Sequence, residues 1–180
     1  TLRTLLFNPP HVKTLSELFD LSGRTAVVTG GSRGIGFGIA HRLAEAGANV
    51  VIASLDSDES VASAKELSDK GWKAQGVAVD VSQEEDVKRM VQFAVNTFGS
   101  VDILVNNAGI FPSVPIAQMR KEDFEKVIAV NLVGVFLCTK YASEQMIKQG
   151  KGGRIINISS IDALHPSAIG LAHYDASKHG

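Results

Sequence analysis

The chain has little cysteine: Cys138 is the only one among 180 residues. A single thiol forms no intrachain disulfide and cannot supply the paired thiolates of a structural zinc site. The five histidines also lack the paired spacing of metal ligands. Cys138 lies in the apolar run NLVGVFLCTK, and free cysteine is most often a core residue. We therefore expect a buried thiol, a reducing cytoplasmic environment and no metal site.

An excess of charge of one sign is also missing. Eighteen basic and nineteen acidic residues give a formal net charge of -1, so nothing attracts the chain to nucleic acid or to an anionic bilayer. No apolar run approaches the length that spans a membrane. Residues 1–20 are interrupted by Pro9 and Pro10 and lack the apolar segment of a secretion signal. We expect neither a nucleic-acid partner nor a membrane partner.

From Gly23 onward, apolar runs alternate with helical patterns. Strands are predicted at 25–30, 49–54, 73–81, 101–109 and 154–160. Helices are predicted in GIAHRLAEAG, which follows the glycine cluster and stops at Gly47, at about 58–70 and 83–98 and, with breaks, at 121–149. Buried strands separated by helices of this length are typical of a parallel sheet with helices on both faces. We predict an α/β fold with a doubly wound, Rossmann-like parallel sheet over residues 21–180, preceded by an irregular leader, residues 1–20, with one short helical turn at most.

The segment TGGSRGIG, residues 29–36, follows the first predicted strand and begins the first predicted helix. Glycines at such a place let the backbone approach a pyrophosphate, and the free N–H groups and dipole of the helix N-terminus favour an anion. The alternative is a plain tight turn. The strand before it and the helix after it favour dinucleotide binding.

The end of the second strand bears on the choice of cofactor. An acidic residue there normally binds the adenosine ribose of NAD, but this chain has Ser54. A neutral serine does not repel a 2′-phosphate, and Arg33 in the glycine-rich segment can pair with one. NADP is therefore preferred, and NAD stays possible because Asp56 lies two residues further. Alternatively, Arg33 is a solvated surface charge and Ser54 a plain strand end.

Tyr174 and Lys178 are four positions apart and share one face of a predicted helix. Reducing a ketone requires a proton donor at its oxygen, and a nearby lysine cation lowers the phenol pKa from about 10 toward a useful range. Ser160, at the end of the fifth strand, would hold the substrate oxygen. Asn131 interrupts an apolar helix and, with an ordered water and Lys178, could continue a proton path. The alternatives are a solvated pair, a loop cap and a helix kink.

The segments TGGSRGIG, NNAG (106–109), IINISS (155–160) and YDASK (174–178) together resemble the short-chain dehydrogenase/reductase family. The resemblance implies a catalytic tetrad of Asn131, Ser160, Tyr174 and Lys178. Ser159 is the alternative serine, because the loop between serine and tyrosine is one residue longer than is usual in the family. The residues expected at the cofactor are Gly30, Ser32, Arg33, Ile35, Gly36, Ser54, Asp80, Val81, Asn107, Ala108, Gly109, Tyr174 and Lys178.

For Asp80 two roles stay open. In the family, an Asp at this place receives the adenine amino group, and Val81 contributes backbone. Asp80 could also cap the next helix together with Ser82, which has Glu85 three residues later as in a capping box.

The resemblance implies an NADP-dependent oxidoreductase that interconverts a secondary alcohol and a ketone, with a sugar, polyol or 3-oxoacyl substrate. It also implies a homodimer or homotetramer. Family members continue past the Tyr–Lys pair, so we expect a sheet without its last strands, an exposed sheet edge and, unless something supports it, a frayed Tyr–Lys helix. The alternative is a non-catalytic nucleotide-binding module or an inactive short form.

Overall fold

The computed structural model describes residues 13–165, 167 and 169–180. The first half contains α1 (Leu15–Phe19), β1 (Thr25–Thr29), α2 (Gly34–Glu45), β2 (Asn49–Ser54), α3 (Ser57–Asp69), β3 (Ala74–Ala78) and α4 (Glu84–Phe98). The second half contains β4 (Ile103–Asn106), α5 (Lys121–Ile128), a π-helical segment (Ala129–Val133), α6 (Gly134–Gln149), β5 (Arg154–Asn157), a 3-10 turn (Ile161–Ala163) and α7 (Ala172–His179).

The strands form one parallel sheet in the order β3-β2-β1-β4-β5. The chain first moves outward from β1 through β2 to β3, then returns to the other side of β1 for β4 and β5. This reversal brings the carboxyl ends of β1 and β4 side by side, which is where open α/β sheets bind ligands. The predicted doubly wound parallel sheet is confirmed.

The core has two layers, one on each face of the sheet. Successive strand residues point to opposite faces, so Val27 and Val51 belong to one cluster while Val28 and Ile52 belong to the other. One layer is completed mainly by α4 and α6, and the other by α2 and α3. The edge strand β5 differs: Ile156 is 46% exposed, in agreement with the expected open edge.

The buried carboxylate of Asp102 ties the start of β4 to the start of β1. It is 5% exposed and accepts hydrogen bonds from Ser100 Oγ at 2.6 Å, Thr25 N at 2.9 Å and Arg24 Nη1 at 3.3 Å. Burial raises the pKa of this carboxyl, but the hydrogen bonds outweigh burial and leave the pKa below its ordinary value. The ionised form therefore stabilises the fold.

A continuous helix of 29 residues runs from Lys121 to Gln149. Its length and apolar composition would suffice to cross a membrane, which corrects the expectation that no segment approaches that length. In this fold it is a core helix, because residues of α6 pack into the same cluster as α4 and β4. Cys138 is one of them, and burial raises the pKa of its thiol to about 12, so the predicted buried thiol is confirmed.

Part of the predicted leader, residues 1–12, lies outside the described residues. The rest contains the exposed helix α1, whose N-terminus is closed by a capping box between Thr14 and Glu17. Leu21 then joins the domain, since its N–H donates to Ala46 O at 2.8 Å. The division into leader and domain stays a prediction.

Candidate active site

The glycine-rich segment forms a tight turn between β1 and α2. Gly30 and Gly34 have positive φ angles of 61° and 56°, a backbone conformation that glycine adopts without strain. At Gly36, a Cβ atom would lie 2.1 Å from Gly30 O. A side chain at this position therefore cannot coexist with the observed closure of the turn.

The turn is held from the other side by the NNAG segment that ends β4. Asn107 Nδ2 donates to both Thr29 O and Gly30 O at 3.0 Å. In return, Thr29 Oγ1 accepts from the backbone N–H groups of Asn107 and Ala108 at 3.1 Å. These bonds fix the ends of β1 and β4 relative to each other.

The start of α2 is open to an anion. Its N-cap residue, Arg33, makes no side-chain hydrogen bond to the first turn, so no capping side chain fills the position where the free N–H groups converge. Ile35, on that first turn, is exposed. The residues of the turn thus fit the pyrophosphate of a dinucleotide, because close backbone approach and uncapped donors are both present.

Arg33 and Ser32 are held by a residue that sequence reasoning missed. Arg33 Nη1 lies 3.3 Å from Glu59 Oε1, and Ser32 Oγ donates to Glu59 Oε2 at 3.1 Å. Glu59 belongs to the first turn of α3, 26 positions from Arg33, and no local motif signals such a pair. Arg33 is therefore an ion-paired surface residue rather than a free cation.

The end of β2 carries a neutral side chain, as read from the sequence. Ser54 is buried, and its hydroxyl donates to Asp56 O at 2.9 Å. Asp56 is the N-cap of α3, and its Oδ1 accepts from the N–H groups of Asp58 at 2.8 Å and Glu59 at 3.0 Å. The Asp56 carboxylate is thus engaged in capping, which leaves Ser54 as the side chain at the strand end.

After β3, Asp80 closes a local turn onto Ser82. Its Oδ1 accepts from Ser82 N at 2.9 Å and from Ser82 Oγ at 2.7 Å. The capping box predicted for Ser82 and Glu85 is wrong: the N-cap of α4 is Gln83, which makes no side-chain cap bond. The reason is that the turn at Asp80, closed by Gln83 N–H donating to Asp80 O at 3.0 Å, puts the helix start at Glu84, one residue later than the motif requires. Val81 is buried beside Gly134.

Asn131 lies in the π-helical segment and is 4% exposed. Its Oδ1 accepts from Ile110 N at 2.8 Å, and its Nδ2 donates to Ile110 O at 2.9 Å and to Ser177 Oγ at 3.0 Å. The amide therefore joins three segments: the long helix, the loop after β4 and α7. Gly109 lies next to it, since a Cβ there would be 3.4 Å from Asn131 Oδ1. The helix irregularity expected at this position is present.

Tyr174 and Lys178 share one face of α7. Lys178 Nζ lies 5.7 Å from the centroid of the Tyr174 ring and donates to Ile158 O, just beyond β5, at 2.8 Å. Burial lowers the pKa of the Lys178 ammonium because desolvation disfavours its charged form. Phe111 meets the Tyr174 ring edge-on at 5.8 Å between centroids.

Of the two candidate serines, Ser160 has a defined partner. Its Oγ accepts from Asp162 N at 3.2 Å and donates to Asp162 Oδ2 at 3.1 Å, and it is the N-cap of the 3-10 turn. Ser159 is exposed. Ser160 thus acts here as a loop cap, which is one of the two roles considered for it.

The helix α7 is formed and supported, so the expected fraying is not observed. It packs against α5 and the π-helical segment, and Ser177 connects it to Asn131. His173 is fully buried and accepts the Tyr174 N–H on Nδ1 at 2.9 Å. From the sequence His173 is expected to be a pocket wall or a surface residue, and the structure buries it; Ser177 was missed, and its one signal is that it lies four positions from His173 and so shares the inward face of the helix.

Within the described residues there is no group of three or more His, Cys, Asp and Glu side chains placed to hold a metal ion.

Comparison with known proteins identifies the family. Residues 24–180 match the family model described as short chain dehydrogenase. The chain is 45% identical over 159 residues to "3beta-hydroxysteroid dehydrogenase 2" of Eggerthella lenta, covering 88% of this chain and 61% of the relative. It is 40% identical over 161 residues to the 3-oxoacyl-(acyl-carrier-protein) reductase FabG of Aquifex aeolicus, covering 89% and 64%.

A solved structure has a similar fold. The crystal structure of a short-chain type dehydrogenase/reductase from Mycobacterium marinum superposes with a TM-score of 0.89 at 37% sequence identity, and the match covers 92% of this chain and 66% of that one. The chain thus spans about three fifths of the length of the curated relatives it matches. Because the family model covers residues 24–180 and the fold superposes on a solved member, the chain belongs to the short-chain dehydrogenase/reductase family.

Proposed function

We propose that this chain contains the cofactor turn and the proton-transfer residues of an NADP(H)-dependent oxidoreductase that interconverts a secondary alcohol and a ketone. The family implies an NAD(P) cofactor and a small hydroxyl or keto substrate. The relatives named above act, by their names, on a hydroxysteroid and a 3-oxoacyl group. Of the predicted substrates, the 3-oxoacyl type is therefore supported more directly than a sugar or polyol.

The observation that carries the proposal is the placement of Lys178 against Tyr174. The ammonium lies 5.7 Å from the phenol ring and is fixed by Ile158 O. A phenol beside an anchored ammonium is placed to act as acid in reduction and as base in oxidation, with the lysine as its partner in proton transfer. An isolated solvated pair would lack the backbone anchor on the ammonium.

The remaining residues have supporting roles in this proposal. Ser160 binds the substrate oxygen once its hydroxyl leaves Asp162. Asn131 positions α7 through Ser177, and the proposed proton path from Tyr174 runs through Lys178 toward it. The bound nicotinamide cofactor supplies or accepts the hydride.

NADP is proposed in preference to NAD because Ser54, at the end of β2, brings no negative charge near the ribose. Asp56, the other candidate there, is engaged as the N-cap of α3. Arg33 supplies the positive charge on the turn. Assembly as a homodimer or homotetramer and a cytoplasmic location remain predictions.

Replacing the phenol tests the proposal. The wild-type chain should oxidise NADPH with members of a panel of ketones that includes 3-oxoacyl thioesters, and Tyr174→Phe should lower the rate by about 10²–10⁴-fold. Tyr141→Phe is the matched control, because the second tyrosine of the chain bonds Glu84 on the α4–α6 surface. If the wild-type chain binds NADPH but does not oxidise it with any ketone, the proposed oxidoreductase activity is contradicted and the non-catalytic nucleotide-binding module is favoured.

A further inference from the structure

The carboxylate of Glu59 is bound to two side chains of the cofactor turn. It accepts from Ser32 Oγ at 3.1 Å and pairs with Arg33 Nη1 at 3.3 Å. Ser63, one turn further along α3, donates its hydroxyl to Ser32 O at 2.7 Å. The first turns of α3 are therefore joined to the glycine-rich turn by three separate contacts.

The position of Glu59 is fixed by the helix, while its carboxylate stays accessible. The Glu59 N–H is bonded to the capping oxygen of Asp56 at 3.0 Å, which orients the first turn of α3. The side chains of Glu59 and Arg33 are 44% and 82% exposed. An ion pair this exposed is weak and exchanges readily with other partners.

We propose that Glu59 is a specificity-determining residue, which sets the balance between NADP and NAD by competing with the 2′-phosphate for Arg33. This inference rests on the proposed dinucleotide function. Glu59 offers only one oxygen to Arg33, because its other oxygen accepts from Ser32. A phosphate can bind a guanidinium through two oxygens, so NADP can displace Glu59. The displaced carboxylate then stays near a group of the same sign.

The adenosine ribose of NAD, which has a 2′-hydroxyl in place of the phosphate, is not repelled by Glu59. A 2′-hydroxyl carries no charge and can donate a hydrogen bond to a carboxylate, as it does to the acidic residue that usually ends the second strand. In this chain Ser54 occupies that place, and Glu59 brings a carboxylate to the turn from the next helix. Glu59 therefore weakens binding of NADP and leaves binding of NAD unaffected or stronger.

Nucleotides that contain only the adenosine half test this directly. Adenosine 2′,5′-bisphosphate and adenosine 5′-monophosphate should be titrated into the wild-type chain and into Glu59→Gln by calorimetry at low salt. We expect the variant to bind the bisphosphate about two- to fivefold more tightly and the monophosphate no more tightly than wild type. The gain should shrink at high salt.

Two further variants make the result specific to the pair. Glu66→Gln removes the same charge two turns further along α3, where Glu66 pairs with Lys70, and should leave both affinities unchanged. In an Arg33→Gln background, Glu59→Gln should give no gain. Thermal melts of all variants check that the fold is retained.

The possible failures are distinguishable. If wild type binds both nucleotides and Glu59→Gln leaves their affinity ratio unchanged, the role of Glu59 is overturned and the proposed function stands. A gain of equal size in Glu66→Gln or in the Arg33→Gln background also overturns competition for Arg33. If wild type binds neither nucleotide, the dinucleotide function and the role of Glu59 fail together.

Discussion

Replacing Asn131 with alanine tests whether one buried amide holds the site together. The side chain makes three hydrogen bonds of 2.8–3.0 Å, two to the backbone of Ile110 and one to Ser177 Oγ. Alanine removes all three. It also leaves the Ser177 hydroxyl, which is buried, with one partner fewer.

The cost can be estimated from these bonds. A typical intramolecular hydrogen bond contributes about 0.5–1.5 kcal/mol net, so three bonds give about 1.5–4.5 kcal/mol. Ile110 is only partly buried, so water can satisfy some of its freed groups, and alanine gains roughly 0.5 kcal/mol of helix propensity over asparagine. We therefore expect Asn131→Ala to lower the free energy of unfolding by about 1–4 kcal/mol.

The assay is equilibrium unfolding in urea followed by far-UV circular dichroism, with thermal melts in parallel. For a domain of this size each kcal/mol corresponds to about 2–4 °C in Tm. Asn96→Ala is the matched control: Asn96 is exposed on α4 and its side chain bonds only Gln92 among the described residues. Its effect should stay within about 0.5 kcal/mol.

Hydrogen exchange locates the loss. In Asn131→Ala the amides of Ile110 and of α7 should exchange faster, while those of β1 and β2, which Asn131 does not touch, should keep their protection. Equal stabilities of Asn131→Ala and Asn96→Ala, or unchanged exchange in α7, would refute the reasoning that this amide docks the Tyr–Lys helix.

Three further substitutions or reactions have defined outcomes. The pKa of Asp102 is lowered in the folded state, so the ionised carboxylate stabilises the fold above the ordinary pKa, and this stabilisation is lost as the pH falls through the lowered pKa. Asp102→Asn should therefore lower Tm more at pH 7 than near pH 3. An equal loss of Tm at both pH values would contradict this. Gly36→Ala should destabilise the fold by about 1–3 kcal/mol through overpacking against Gly30 O, whereas Gly38→Ala, where a Cβ meets open space, should stabilise it by up to about 1 kcal/mol. Urea unfolding of both variants measures the difference, and a stabilised Gly36→Ala would show that the turn is looser than described. Cys138 should not react with Ellman's reagent at pH 8 until urea unfolds the chain, because burial raises the pKa of its thiol to about 12; rapid labelling of the native protein would mean that the long helix opens.

The features predicted correctly from the sequence are those fixed by neighbours along the chain. The sheet could be predicted because alternation of buried strand residues and helical spacing are local patterns. The glycine turn could be predicted because its four glycines lie within seven residues. For the same reason the shared face of Tyr174 and Lys178 follows from their spacing alone.

The missed features depend on contacts between distant parts of the chain. Nothing near Arg33 predicts its pairing with Glu59, and nothing near Asn131 predicts Ile110 as its partner 21 positions away. The wrong capping box has another cause: the turn that Gln83 N–H closes on Asp80 O puts the helix start at Glu84, one residue beyond the start that the motif requires. A local motif does not fix a helix boundary to within one residue.

The two amides Asn107 and Asn131 connect the glycine-rich turn to the helix that carries Tyr174. Asn107, at the end of β4, closes the glycine-rich turn. Three residues later, the N–H and C=O groups of Ile110 both bond the side chain of Asn131, which also bonds Ser177 of α7. A short stretch of backbone thus connects the turn to the helix of Tyr174 through hydrogen bonds at both of its ends. Since hydrogen bonds require donor and acceptor within a few tenths of an ångström, we expect a displacement of the turn to shift α7. It follows that substitutions at Asn107 should disturb proton transfer as well as nucleotide binding, and that a variant of Asn107 with weakened binding but an unchanged rate at saturating cofactor would show the two halves to be independent.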